Sequence, residues 1–227
     1  MRIGVFGGTF DPIHYGHLRL AEEARESFCL EMILFIPASV PPHKTHKKVS
    51  HIEHRLEMVR RAVAGNPAFQ VSDLECSRPG VSYSVETLRL MQQLQGPEVE
   101  MFFLAGLDAF LNIHTWKAFP ELFEMSNWIV LGRAGFRPSG KRALPAKLRS
   151  IFRYDPKERA WVHPSGHRVF FRGFRSLDVS GTEIRALLRS GRSIRYLVPE
   201  EVAGYIALHR LYAVEAGAKT KEPGHGP

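Results

Sequence analysis

The stretch Gly7-Gly8-Thr9-Phe10-Asp11-Pro12-Ile13-His14-Tyr15-Gly16-His17 stands between an apolar run, residues 3–6, and an amphipathic one that begins at Leu18. Read as strand, turn and helix, it puts a glycine-rich turn at the carboxyl end of a first buried strand. Gly7 and Gly8 let backbone N–H groups come close to a ligand, because no Cβ intervenes. The helix that follows offers free N–H groups and a partial positive charge, which suit a phosphate. His14 and His17, three residues apart on the opening turn, project toward one volume. Gly16 between them keeps that face low. Neither the Walker spacing GxxxxGK(S/T) nor the dinucleotide fingerprint GxGxxG is present. A zinc site fits poorly, since no third ligand is obvious and the spacing is not HExxH.

Working outward, residues 32–36, 69–71, 101–105 and 128–131 repeat the short apolar pattern of residues 3–6. Between them, amphipathic stretches gather apolar residues on single helix faces. These are Leu18, Ala21, Ala24 and Phe28, then Ile52, Leu56, Val59 and Val63, then Val85, Leu88, Met91 and Leu94. Such alternation implies parallel pairing with right-handed crossovers. The expected fold class is α/β, a doubly wound parallel sheet with a small C-terminal helical part. Ligands then bind at the carboxyl ends of strands, where the strand order reverses. Residues 1–215 read as one domain. Within it, 133–172 form a basic insertion ending in a hairpin (160–163, a turn at 164–166, then 168–171). Residues 179–212 carry two closing helices, over 182–189 and 199–211. Residues 216–227 are small, charged and rich in Gly and Pro, and read as a frayed tail.

With 227 residues, 44% of them hydrophobic, the chain can bury a core without disulfides. Charged residues at 24% argue against bulk disorder. Thirty-one basic against twenty-three acidic residues give a net charge of +8. That excess points to nucleic acid, an acidic membrane surface or a phosphate-rich small molecule. It is local, however. Residues 133–172 hold eleven Lys and Arg against only Asp155 and Glu158, which leaves the rest of the chain almost neutral. A chain-wide nucleic-acid surface is therefore disfavoured. The segment reads either as a basic collar that steers phosphorylated ligands or as a solvated insertion. Cys29 and Cys76 form no CxxC or zinc spacing, and Cys29, between Phe28 and Leu30, reads as a small buried thiol. No apolar run approaches the roughly 20 residues of a membrane span. A cytoplasmic protein without membrane contact is expected, and the sequence leaves room for a homo-oligomer.

Residues 7–17 resemble the nucleotidylyltransferase signature T/S-x-x-x-x-H-x-G-H, shared with class I aminoacyl-tRNA synthetases. A second stretch, Val179-Ser180-Gly181-Thr182-Glu183-Ile184-Arg185, resembles the Ser-Ser-Thr-x-Ile-Arg motif of the same Rossmann-like superfamily. On its own chemistry, Ser180 and Glu183 form a capping box that leaves N–H groups and hydroxyls for phosphate oxygens. Arg185, on the first turn, can offer bidentate hydrogen bonds to a polyphosphate. Three further segments narrow the resemblance. They are Pro37-Ala38-Ser39-Val40-Pro41-Pro42-His43-Lys44, then Ser82-Tyr83-Ser84-Val85-Glu86-Thr87-Leu88, then Ala105-Gly106-Leu107-Asp108 with Trp116 soon after. From residue 1 to about 212 the chain resembles the bacterial nicotinate-nucleotide adenylyltransferases. Phosphopantetheine adenylyltransferases share the first motif but are typically shorter and lack the PPHK-type loop.

The resemblance implies ATP and nicotinate mononucleotide as substrates, with Mg²⁺ arriving mainly on the ATP phosphates and no dedicated metal ligands on the protein. It implies that His14 and His17 contact the ATP phosphates, with Gly7, Gly8, Thr9 and Phe10 lining the nucleotide site. Ser180, Thr182 and Arg185 would hold the β- and γ-phosphates. Asp108 would bind ribose hydroxyls, Gly106 would let the sugar approach, and Trp116 would stack on the pyridine ring. Backbone N–H groups near Ser84 would meet the carboxylate, and Lys44 would draw in phosphate. Plainer readings compete: Trp116 as packing, Lys44 as a solvated charge, Asp108 as a helix cap. Two departures from the family pattern stand out, Gly181 in place of a second Ser and Lys117 where several members have Tyr. Rival functions are adenylyl transfer to nicotinamide mononucleotide or phosphopantetheine and, from another class, a basic nucleic-acid-binding module. An aminoacyl-tRNA synthetase is disfavoured by length and by the lack of a KMSKS-like loop.

Overall fold

The computed structural model describes residues 1–41, 49–78, 80–96, 98–133, 144–175 and 177–213. Its strands are β1 (Arg2–Gly8), β2 (Met32–Pro37), β3 (Phe69–Val71), β4 (Glu100–Gly106), β5 (Asn127–Arg133), β6 (Arg153–Asp155), β7 (Ala160–Val162) and β8 (Arg168–Phe174). Its helices are α1 (Tyr15–Ser27), α2 (Ile52–Val63), α3 (Ser84–Gln95), α4 (Leu107–Leu111), α5 (Phe119–Met125), α6 (Gly181–Arg189) and α7 (Glu200–Leu208). The strands join in the order β3-β2-β1-β4-β5-β8-β7-β6. The pairings from β3 across to β8 are parallel, whereas β7 and β6 return antiparallel. The chain winds outward from β1 to β3, crosses to β4 on the other side of β1, and winds outward again. The crevice between the carboxyl ends of β1 and β4 is therefore the switch point of a doubly wound sheet, as the alternation implied.

Period-two alternation fills both faces of the sheet. Phe6, Phe35, Phe102 and Ile129 pack beneath residues of α1, α2 and α7. Ile3, Val5, Phe103 and Val130 pack on the other side, against α3 and α5. Strands buried on both faces read as continuous apolar runs, which is why the first five were visible in the sequence.

Three expectations need correcting. Leu94 is 67% exposed, although Val85, Leu88 and Met91 are buried. At about 100° per residue, each three-residue step turns the direction back by about 60°, so a strict i+3 series reaches the opposite side by its fourth member. Cys29 is exposed rather than buried. It takes a left-handed backbone (φ 50°) just after α1, while Phe28 and Leu30 turn inward on either side. Finally, β8 is not only a hairpin arm. It continues the parallel sheet beyond β5, and the unforeseen β6 extends the hairpin to three antiparallel strands.

Lys44, Arg137, Lys141, Arg142 and the tail from residue 216 lie outside the described residues. Of the basic segment that is described, Arg153, Lys157 and Arg159 belong to β6 and its turn into β7, at the outer edge of the sheet. Four strand spacings from β4 to β6 amount to on the order of 20 Å, against a screening length of about 8 Å. Those three charges therefore act weakly on the β1–β4 crevice. Among the described residues no helix is long and apolar enough to cross a membrane.

Candidate active site

At the end of β1 the chain folds back on itself. Phe10 takes a left-handed backbone (φ 47°) and turns its ring inward, 2% exposed. The ring meets those of Phe6 and His17 edge-on, at 5.6 and 5.1 Å. A Cβ on Gly8 would stand 2.8 Å from the Phe10 ring, so Gly8 is required by this fold-back itself. Phe10 thus supports the loop from within, and its side chain lies outside the cleft lining, although the resemblance implied that Phe10 lines the nucleotide site.

His14 is the N-cap of α1, and its carbonyl accepts from the N–H groups of His17 and Leu18. Its ring stacks on that of His17, with centroids 3.7 Å apart and planes 24° apart. The two imidazoles form one unit on the first turn, as their spacing implied. Gly16 is needed for a reason the sequence did not reveal: a Cβ there would stand 3.0 Å from His14 Nδ1. That nitrogen is buried and has no hydrogen-bond partner among the described residues. Burial lowers the His14 pKa from 6.5 to about 4, so the ring is neutral at pH 7 and is able to donate a hydrogen bond without carrying a charge.

Acid should therefore destabilise the fold. Between pH 6.5 and 4 the unfolded chain protonates this histidine and the folded chain does not, so stability rises with pH through that window. The contribution is complete above about pH 7 and falls by about 2 kcal/mol by pH 5. Urea unfolding of wild-type and His14→Gln proteins at both pH values checks this: the variant should lose that part of the pH dependence.

The second motif packs directly on the first. Ser180 caps α6, its hydroxyl accepting from the Glu183 N–H at 3.2 Å. Arg185, expected to offer hydrogen bonds to a polyphosphate, has protein partners in this structure. It donates to the Asp11 carbonyl and, at 3.3 Å, to the Thr182 hydroxyl. The Asp11 carboxylate lies 3.9 Å from the same guanidinium and accepts from the Tyr212 hydroxyl at 2.6 Å and the Ser50 N–H at 3.4 Å. Burial and Asp11 push the Tyr212 phenol well above its usual range, so it stays a donor. Gly181 now has a physical reason. A Cβ there would come 2.9 Å from the Asp11 carbonyl oxygen and 3.3 Å from Arg185 Nη1. A serine would push apart the contact that joins the two motifs.

Beside this junction a cleft of about 260 Å³ opens at the switch point. It brings together Gly7, Gly8 and Thr9 at one end with Ser84, Gly106 and Trp116 toward the other. Trp116 is both lining and packing, its ring edge-on to Phe103 at 6.2 Å and to Trp128 at 6.1 Å. Ser84 opens α3, whose N-cap, Tyr83, makes no side-chain cap, so α3 presents backbone donors toward the cleft. A Cβ on Gly106 would meet nothing within 4 Å, which leaves its surface approachable. Asp108 lies in the first turn of α4, exposed and outside the cleft lining; the N-cap of that helix is Gly106, not Asp108. His14, His17, Ser180, Thr182 and Arg185 also lie outside the lining, the histidines following the β1 loop and α6 packing on Asp11 of that loop.

Two buried groups escaped the sequence reading. Arg55 in α2 is 1% exposed and donates to four backbone carbonyls: Ser50 at 2.8 Å, Thr9 at 2.9 Å, Ala38 at 2.7 Å and Ser39 at 2.8 Å. It thereby ties the loop after β1 to the loop after β2. Its signal was present: it falls three residues after Ile52 and four before Val59, on the apolar stripe where a charge is costly. Glu75 lines the cleft and accepts from the Thr87 hydroxyl at 2.6 Å.

A parallel sheet with a histidine-bearing turn at its switch point, and a second capped helix packed on that turn, defines a nucleotidylyltransferase type of site. A family model described as cytidylyltransferase-like matches residues 5–187. The chain is 46% identical over 214 residues to a protein of Geobacter sulfurreducens named "Probable nicotinate-nucleotide adenylyltransferase", covering 94% of this chain and 99% of that one. A protein of the same name from Geotalea daltonii is 46% identical over 213 residues, covering 93% and 98%. The chain belongs to the nicotinate-nucleotide adenylyltransferase family. The fold is shared with Plasmodium falciparum nicotinic acid mononucleotide adenylyltransferase complexed with NaAD, at a TM-score of 0.70 and 18% identity over 93% of this chain and 97% of that one.

Proposed function

We propose that this chain transfers the adenylyl group of ATP to the 5′-phosphate of nicotinate mononucleotide, giving nicotinate adenine dinucleotide and pyrophosphate. The observation that carries this reading is the single cleft running from Gly7–Thr9 to the aromatic end at Trp116. It gives one nucleotide a glycine-rich, N–H-bearing end and the other a ring-stacking end, with both at the switch point.

The acceptor phosphate oxygen is already anionic at pH 7, so the protein need supply no base. That oxygen attacks the α-phosphorus in line, and the bond from the α-phosphorus to the bridging oxygen breaks as pyrophosphate leaves. Alignment and charge stabilisation are the tasks left to the protein. The neutral His14 and its stacked partner His17 donate hydrogen bonds where charge builds on the α-phosphate. The backbone of Gly7, Gly8 and Thr9 holds the adenylyl side. Ser180, Thr182 and Arg185 hold the β- and γ-phosphates, with Arg185 exchanging the Asp11 carbonyl for phosphate oxygen. Gly106 admits the sugar, Asp108 takes ribose hydroxyls, Trp116 stacks on the pyridine, and N–H groups at Ser84 receive the carboxylate. Lys44 guides phosphate inward.

The described residues contain no group of three His, Cys, Asp or Glu side chains able to hold a metal. Mg²⁺ would enter on the ATP phosphates held by Ser180, Thr182 and Arg185 and would supply charge shielding there. Cys29 and Cys76 are unpaired thiols, which suits a reducing compartment, and we place the reaction in the cytoplasm.

Pyrophosphate release tests the reading. ATP with nicotinate mononucleotide should give rapid release, and ATP alone or with phosphopantetheine should give only background. Turnover with phosphopantetheine and not with a pyridine mononucleotide would overturn it.

A further inference from the structure

Lys117, one of the two departures from the family pattern, lines the aromatic end of the cleft beside Trp116, Tyr83 and Ser84. Its ammonium donates to Glu86 Oε1 at 2.7 Å and stands 4.4 Å from the centre of the Tyr83 ring. Glu86 does not serve Lys117 alone, because its second oxygen lies 3.4 Å from Arg78 Nη2. Two cations share one carboxylate, so Glu86 keeps a cationic neighbour when Lys117 turns away from it. The remaining wall there is largely apolar, with Phe103, Ala105 and Trp116. The one other charged residue in the described lining, Glu75, accepts from the Thr87 hydroxyl through Oε1, while its Oε2 is buried without a hydrogen-bond partner among the described residues.

We infer that Lys117 is a specificity-determining residue that reads the ring substituent of the acceptor, leaving Glu86 to pair with a pyridine carboxylate while Glu86 keeps Arg78. This rests on the adenylyl-transfer reading above and adds the residue that tells acid from amide. The exchange is cheap on the protein side. The Lys117 side chain is 52% exposed, and an exposed ion pair of this kind contributes little. Glu86 is not stranded, since Arg78 remains beside it. Backbone donors at the start of α3 serve both oxygens of a carboxylate and the single oxygen of an amide. Lys117 adds the full charge, which an amide cannot answer.

The test compares wild-type, Lys117→Met and Lys117→Arg enzymes by pyrophosphate release with ATP and either the acid or the amide mononucleotide, at low and high salt. In Lys117→Met the acid-over-amide ratio of kcat/KM should fall about tenfold, through the KM for the acid rather than kcat. Lys117→Arg should keep the ratio. The ratio should decline with salt in the wild type and be insensitive to salt in Lys117→Met. An unchanged ratio, or equal losses with both acceptors, would overturn the inference and leave Lys117 a packing partner of Tyr83 and Glu86. A wild-type enzyme that uses neither acceptor would remove the adenylyl-transfer reading and this inference with it.

Discussion

Replacing His17 by Ala should lower kcat by about 10²- to 10³-fold while changing the KM for ATP only a few-fold. The expectation follows from how firmly the ring is placed. Its plane is stacked on His14 at 3.7 Å, and its edge is set against Phe10 at 5.1 Å. Phe10 in turn is locked by burial and by the fold-back that Gly8 permits. A donor held this way needs no reorganisation when charge builds on the α-phosphate, so its value lies mostly in the transition state. On the proposed reading, ground-state contacts to ATP are spread over the β1 loop and α6 and survive the substitution. Steady-state kinetics with both substrates varied decides the matter. Equal weakening of both substrates with kcat intact would remove the transition-state role.

The second large effect concerns stability. Arg55→Met should cost about 3–5 kcal/mol in urea unfolding, because it strips partners from four part-buried carbonyls that close around a buried guanidinium. Burial lowers the Arg55 pKa and the nearby Asp11 charge opposes this, but arginine remains a cation throughout. Arg55→Lys keeps the charge and loses the planar fork, so it should recover only part of the loss. Two of the four carbonyls, those of Thr9 and Ala38, belong to residues that line the cleft. Activity should accordingly fall further than the folded fraction does. A loss below about 1 kcal/mol would mean that water or neighbouring donors satisfy those carbonyls in the variant.

The features that were legible in the sequence share one property, that their signal is local. Apolar runs such as those ending at Phe6, Ile36 and Ala105 declare strands buried on both faces, and their alternation with helices declares the doubly wound sheet. The turn from Gly7 to His17 announces its stacked histidines by spacing alone. What stayed hidden depends on distant partners. Arg55 looks like an ordinary helix charge until the carbonyls of Thr9, Ala38, Ser39 and Ser50 close around it. Gly181 looks like a lost hydroxyl until Asp11, 170 positions earlier in the chain, is found against it. Tyr212 gave no signal, because its bond to Asp11 spans nearly the whole chain. Leu94 misled for a local reason, since the i+3 rule drifts off the buried face over three steps.

The central claim is that the β1–β4 crevice is where adenylyl transfer to a pyridine mononucleotide takes place. A crystal of the protein soaked with nicotinate adenine dinucleotide tests it most directly. The account predicts the pyridine ring stacked on Trp116, its carboxylate at the Ser84 and Lys117 rim, and the phosphates beside His14 and His17. Density for the dinucleotide away from that crevice, or in it with the pyridine ring far from Trp116, would contradict the account.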